Sequence, residues 1–102
     1  MDPRTDLAGL GANADAAAAY LKLLANENRL RILCHLAEVG EMSVNALADS
    51  VGLSQSALSQ HLAKLREDEL VSYRREAQTL FYSLADKRTL RMMKLLKQIF
   101  CD

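Results

Sequence analysis

Residues Ser43 to Leu65, SVNALADSVGLSQSALSQHLAKL, decide the fold. Ser43 can cap a helix, because its hydroxyl can accept from a free backbone N–H of the first turn. Val44, Leu47, Ala48 and Val51 then follow at the i, i+3, i+4, i+7 spacing of one buried helical face. Gly52 supplies a residue that tolerates the left-handed conformation where that helix must stop. Leu53 is an apolar plug for the corner, and Ser54 caps the next helix. Ala57, Leu58, Leu62 and Leu65 give this second helix a buried stripe. Two short helices joined by such a corner form a helix-turn-helix.

The other face of the second helix carries Gln55, Ser56, Ser59, Gln60, His61 and Lys64. Gln can bond bidentately to adenine, Ser is a short donor or acceptor, and Lys and His suit phosphate or guanine. The first residues of a recognition helix are the ones that reach base edges. Ser43, Asn45 and Ser54, near the two helix starts, complete the expected contact set. A polar face that meets only water is the plain alternative, and the elements around the motif decide against it.

Upstream, residues 1–12 hold Pro3, Gly9 and Gly11 with little pattern and read as a mobile tail. Asn13 to Ala25 reads as an alanine-rich first helix with Tyr20, Leu21 and Leu24 as its bulk. Asn26 caps a second helix that runs to about Val39, with Glu27 near its positive end and Gly40 as its stop. A short extended piece, Glu41 to Ser43, leads into the helix-turn-helix. Downstream, Leu70 to Glu76 and Thr79 to Leu84 read as two strands of a wing. Its Ala77-Gln78 turn lacks the Asn-Gly or Asp-Gly preference of two-residue loops, so a longer or looser tip is expected. Arg74, Arg75 and Gln78 near that tip are candidates for phosphate or minor-groove contact.

The last helix starts near Asp86 and runs to the end. Leu90, Met92, Met93, Leu95, Leu96, Ile99 and Phe100 are too many apolar residues for one narrow face. Such a helix needs a second surface, and pairing with the first helix in a homodimer supplies one. The expected fold is thus mainly α with a small β-hairpin: a winged helix-turn-helix of about five helices and a two-stranded wing.

A chain of 102 residues is one domain, here residues 13–102. The formal net charge is zero, but its distribution is uneven. Up to Leu53 four basic residues stand against seven acidic ones; beyond it nine stand against six. The positive half therefore carries the recognition helix, the wing and the last helix, as a duplex partner requires. Asp2 and Asp6 with no apolar run exclude a signal peptide, and no stretch is long enough to span a membrane. A cytoplasmic protein is expected, and its two cysteines are not expected to form a structural disulfide. Nothing resembles an enzyme: there is no Cys-x-x-Cys, no Ser/His/Asp cluster and no Gly-rich phosphate loop. No cofactor is expected.

The whole pattern resembles the ArsR/SmtB family of bacterial winged-helix repressors. The matching segments are Leu24-Ala-Asn-Glu-Asn-Arg-Leu-Arg-Ile-Leu, then Leu53-Ser-Gln-Ser-Ala-Leu-Ser-Gln-His-Leu-Ala-Lys-Leu-Arg, then Leu70-Val, Arg74-Arg75 and Phe81-Tyr82. One departure is that Glu27 or Asn28 stands where the family usually has proline. The resemblance implies a homodimer that binds an inverted-repeat operator in double-stranded DNA and releases it on sensing an inducer. It also implies two familiar metal sites, and neither is met. One needs Cys-x-Cys where this chain has Ser43-Val-Asn-Ala-Leu. The other needs Asp and His on the last helix, which offers Asp86 and Asp102 but no His. The histidines, His35 and His61, have no partner set with metal spacing. No metal site is therefore expected.

Cys34 in the second helix and Cys101 at the end of the last each have a plain reading. Cys34 could be a small core residue beside Leu30, and Cys101 an ordinary C-terminal residue. Within the family, however, the pair resembles the dithiol subgroup of BigR-, SqrR- and HlyU-like regulators. That resemblance implies a Cys34–Cys101 redox switch answering reactive sulfur species or oxidants. A non-sensing repressor, an anti-silencing activator and, least of all, a metal-responsive repressor are the alternatives.

Overall fold

The computed structural model describes residues 7–101. Residues 1–6 of the expected tail, and Asp102, lie outside them. From Leu7 the chain passes through a turn into a single 3-10 turn, Gly11–Asn13. The elements then run α1 (Ala14–Leu24), α2 (Glu27–Val39), β1 (Glu41–Ser43), α3 (Val44–Val51), α4 (Gln55–Glu67), β2 (Val71–Glu76), β3 (Thr79–Leu84) and α5 (Lys87–Phe100).

Helix starts follow the capping chemistry of the sequence. Asn26 Oδ1 accepts from Arg29 N at 3.1 Å, and Ser43 Oγ from Ala46 N at 3.2 Å. Ser54 Oγ accepts from Ala57 N at 3.2 Å, and Asp86 Oδ1 from Arg88 N at 2.8 Å. Each cap is worth about 1 kcal/mol. Gly40 (φ 95°) ends α2 and Gly52 (φ 70°) ends α3. Helix α4 ends differently. Leu70 N donates to Leu65 O and Glu69 N to Arg66 O, which is the Schellman pattern, with Glu69 in the left-handed place (φ 63°) usually given to glycine. Leu65 and Leu70, which this pattern brings together, are both buried.

The sheet extends one expectation and corrects another. Glu41–Ser43 is a strand: it pairs antiparallel with β3, Ser43 opposite Phe81. The wing is therefore part of a three-stranded sheet of order β1-β3-β2. The tip is also tight, because Glu76 pairs with Thr79 across only Ala77 and Gln78. Ala77 takes the left-handed conformation (φ 56°) at the first turn position, a conformation that costs a non-glycine residue about 1 kcal/mol. Pairing on both sides of the turn holds it there.

One core joins the elements. Ile32, Leu33 and Leu36 of α2, Leu47 of α3, Leu58, Leu62 and Leu65 of α4, and Leu70 and Val71 at the wing base are all buried. Helix α1 is attached by polar devices as well. Arg29 of α2 donates to Leu23 O (2.6 Å) and Lys22 O (3.2 Å), covering carbonyls that end α1. Tyr20 Oη shares a 3.0 Å hydrogen bond with Thr89 Oγ1, the buried polar side chain of α5. The far end of α5 is uncovered, with Ile99 61% and Phe100 77% exposed. This is the apolar excess that the sequence predicted.

Candidate nucleic-acid interface and cysteine pair

Helix α4 turns its leucines inward, and Gln55, Ser56, Ser59, Gln60 and Lys64 stand exposed on the opposite side, with His61 half-buried beside them. The corner brings α3 onto the start of this face: Gln55 Nε2 donates to Asn45 Oδ1. Ser54 and Ser56 hydroxyls are 3.3 Å apart. Ser43 is half-buried, and its hydroxyl is taken up by the α3 cap. Thus Asn45, Ser54, Gln55, Ser56, Ser59, Gln60 and Lys64 are all exposed polar residues of the helix-turn-helix. The sequence gave no sign of the Asn45–Gln55 contact, which depends on the angle between two helices.

The two wing arginines are placed differently. Neighbouring residues on a strand face opposite sides of a sheet. Arg75 shares its side with Tyr73, whose ring lies under the Arg66 guanidinium of α4 at 5.0 Å. Its side chain makes no ion pair with a described residue. Arg74 faces the other side. It donates from Nε and Nη2 to both carboxylate oxygens of Glu41 (2.9 Å each) and from Nη1 to Glu76 (2.8 Å). Those carboxylates raise its pKa above the usual arginine value. Gln78 is exposed in the turn. The Arg74 partnership was hidden from sequence reading because its main partner lies 33 residues away.

Both cysteines are free and exposed, which corrects the reading of Cys34 as a core residue. Ile32, Leu33 and Leu36 turn inward from α2, and Cys34 lies off that face. Its Sγ–H points at Glu38 Oε1, 3.7 Å away and one turn on. Partial burial, then the Glu38 carboxylate by charge and hydrogen bond, push the Cys34 thiol above its ordinary pKa. The charge of Cys101, just past the end of α5, pushes the same way. Helix α2 packs on α5, which brings this about. Among the described residues no group of three or more His, Cys, Asp or Glu side chains is arranged to hold a metal ion. Among the described residues no helix is long and apolar enough to cross a membrane.

The raised Cys34 pKa has a direct consequence. In a Cys101→Ser protein, alkylation of Cys34 by iodoacetamide should require a more alkaline pH than an ordinary thiol does. Glu38→Gln removes the carboxylate that disfavours the thiolate, so the midpoint of the pH–rate profile should move down. A midpoint that stays in place would show that Glu38 does not act on the thiol.

A helix-turn-helix with a polar recognition face, flanked by a wing, defines a DNA-binding regulator. Residues 26–73 match the family model described as "Bacterial regulatory protein, arsR family". The chain is 50% identical over 90 residues to the transcriptional activator HlyU of Vibrio cholerae, covering 88% of this chain and 82% of that one. The structure of reduced HlyU from the same organism superposes with a TM-score of 0.84 at 48% identity, over 91% of this chain and 97% of that one. The repressor BigR of Xylella fastidiosa superposes with a TM-score of 0.85 at 36% identity, over 91% and 94%. A homodimeric winged helix-turn-helix domain from Mycobacterium bovis does so with a TM-score of 0.77 at 33% identity, over 97% and 89%. The chain belongs to the arsR family of bacterial regulatory proteins: it is a DNA-binding transcriptional regulator and not an enzyme.

Proposed function

We propose that this regulator is a cytoplasmic, homodimeric repressor whose affinity for an inverted-repeat operator is set by the oxidation state of Cys34 and Cys101. Residues 13–102 form its DNA-binding and dimerisation unit. One observation carries the switch: two exposed thiols, one on α2 and one just past the end of α5, stand on two helices that pack against each other within a single chain. A relative of this chain, HlyU, has been solved in a form described as reduced.

The DNA contacts fall to Asn45, Ser54, Gln55, Ser56, Ser59, Gln60, His61 and Lys64 on the helix-turn-helix, with Ser43 at its start. Arg75 and Gln78 act from the wing. Dimerisation uses α1 and α5. The uncovered Leu21, Leu95, Ile99 and Phe100 support this, as does the homodimeric assembly of the Mycobacterium bovis domain.

The chemistry has two steps. Burial and the Glu38 carboxylate disfavour the Cys34 thiolate, so in this scheme Cys101 attacks first and Cys34 resolves. Its thiolate takes a sulfane sulfur from a donor persulfide, releases the donor as a thiol and becomes Cys101–S–SH. The Cys34 thiolate then attacks the sulfur bonded to Cys101 Cβ, expels hydrosulfide and closes a disulfide. With peroxide the first product is a sulfenic acid, and water leaves in the second step. Either link ties α5 to α2, and α2 also packs on α3 of the helix-turn-helix. In a dimer the two recognition helices must match half-sites about one DNA turn apart, so re-aiming α5 lowers affinity.

The test is fluorescence anisotropy of the reduced protein on the duplex upstream of its own gene, repeated after a polysulfide donor and again after dithiothreitol. A reversible loss of affinity, with mass spectrometry joining Cys34 to Cys101, is the expected result. Unchanged affinity would overturn the switch and leave a regulator whose signal lies elsewhere. Promoter-reporter output separates a repressor from an anti-silencing activator.

A further inference from the structure

We propose that Arg74 is a positioning residue rather than a DNA contact: it clasps the wing to the strand that starts the helix-turn-helix. The inference rests on the DNA-binding reading above and assigns a separate role within it. Arg74 lies on β2 and Glu41 on β1, the two edge strands, with β3 between them. To reach Glu41, the guanidinium crosses the central strand and stacks on Phe81, its carbon 4.6 Å from the ring centroid. Register agrees, because Arg74 pairs with Phe81 and Glu41 with Ser83, so all four side chains share one side of the sheet. Glu76 holds the third nitrogen from the tip side.

An isolated surface ion pair contributes little, but a bidentate pair within a larger network is the exception. Here one cation meets two carboxylates and an aromatic face. With three nitrogens engaged by carboxylates, Arg74 is poorly placed to bind a phosphate, and the acidic pair beside it would repel one. What the clasp joins gives it a purpose. Strand β1 ends at Ser43, the cap of α3, and β2 carries Arg75 toward the tip. The clasp therefore fixes the spacing between the wing tip and the recognition helix. Arg75, on the opposite side of the hairpin and turned toward α4, is the arginine left to meet the duplex.

The discriminating variant is Glu41→Gln. It removes a negative charge near DNA, so simple electrostatics predicts tighter binding. The clasp predicts the reverse: about fivefold weaker binding, close to 1 kcal/mol. The charge exchange R74E with E41R should recover most of that loss, whereas a phosphate contact at position 74 would not be rescued. Arg75→Ala should weaken binding and reduce the salt dependence by about one phosphate. Glu41→Gln should add little in the Arg75→Ala background, because the clasp acts through the wing. In the DNA-free protein, amide exchange in β1 and β3 should quicken in Glu41→Gln and slow again in the exchanged pair. Tighter or unchanged binding by Glu41→Gln, failed rescue or unchanged exchange would each overturn the proposal. If the parent protein ignored the duplex, the DNA reading alone would fall, and amide exchange would still decide the clasp.

Discussion

Cys34→Ser and Cys101→Ser proteins are expected to bind promoter DNA as tightly as the parent in reducing buffer, and to keep that affinity after polysulfide. The parent should lose at least tenfold, within the 1–3 kcal/mol typical of coupling between two sites. Both thiols are exposed and neither helps form the core, so serine costs little structure. The two variants should nevertheless differ chemically. With Cys34 replaced, Cys101 should accumulate the persulfide that nothing resolves. With Cys101 replaced, reaction should be slow, because partial burial and the Glu38 carboxylate disfavour the remaining thiolate. Intact mass spectra after a timed exposure check this, and equal labelling rates would reverse the order of attack. Loss of DNA binding by either variant under reducing conditions would make the cysteines structural and sink the switch.

Leu62→Ala is expected to lower the unfolding free energy by about 3 kcal/mol, the usual loss when a fully enclosed leucine is truncated. Leu62 is 1% exposed, on the side of α4 opposite the polar face. For a domain of this size the melting temperature should fall by roughly 15 °C, compared at one protein concentration because association also stabilises. The recognition helix would keep every side chain proposed to meet DNA. Binding well below the new melting temperature should therefore survive, and the defect should appear as heat sensitivity. A loss under about 1 kcal/mol would mean that α4 is not anchored by this core.

Much of this architecture was legible in the sequence because its signals are local. Asn26, Ser43, Ser54 and Asp86 act within one helical turn, and Gly40 and Gly52 act at a single residue. The leucine spacing of α4 located both its buried side and the polar face opposite. What escaped depends on distant partners or on context overriding preference. Strand β1 is three residues long, too short for a period, and is a strand because β3 pairs with it. The tight tip uses Ala77 where local chemistry favours glycine, so only the closed register reveals it. Arg74 and Arg75 are adjacent in sequence and looked equivalent, yet the pleat sends them to opposite sides. For Cys34 a local sign was present: Glu38 follows it at i+4, the spacing at which helical neighbours meet.

The strand order β1-β3-β2 bears on how the protein emerges from the ribosome. Strand β1 is made early, but its partner β3 comes after α3, α4 and β2. The helix-turn-helix therefore lies inside the loop that the β1–β3 pairing closes. A nascent chain ending at Glu76 would hold all of α3 and α4 with the β1 edge still bare and the arginine clasp unsupported by Phe81. Such a chain would carry the complete helix-turn-helix without the strand that joins β1 to the wing.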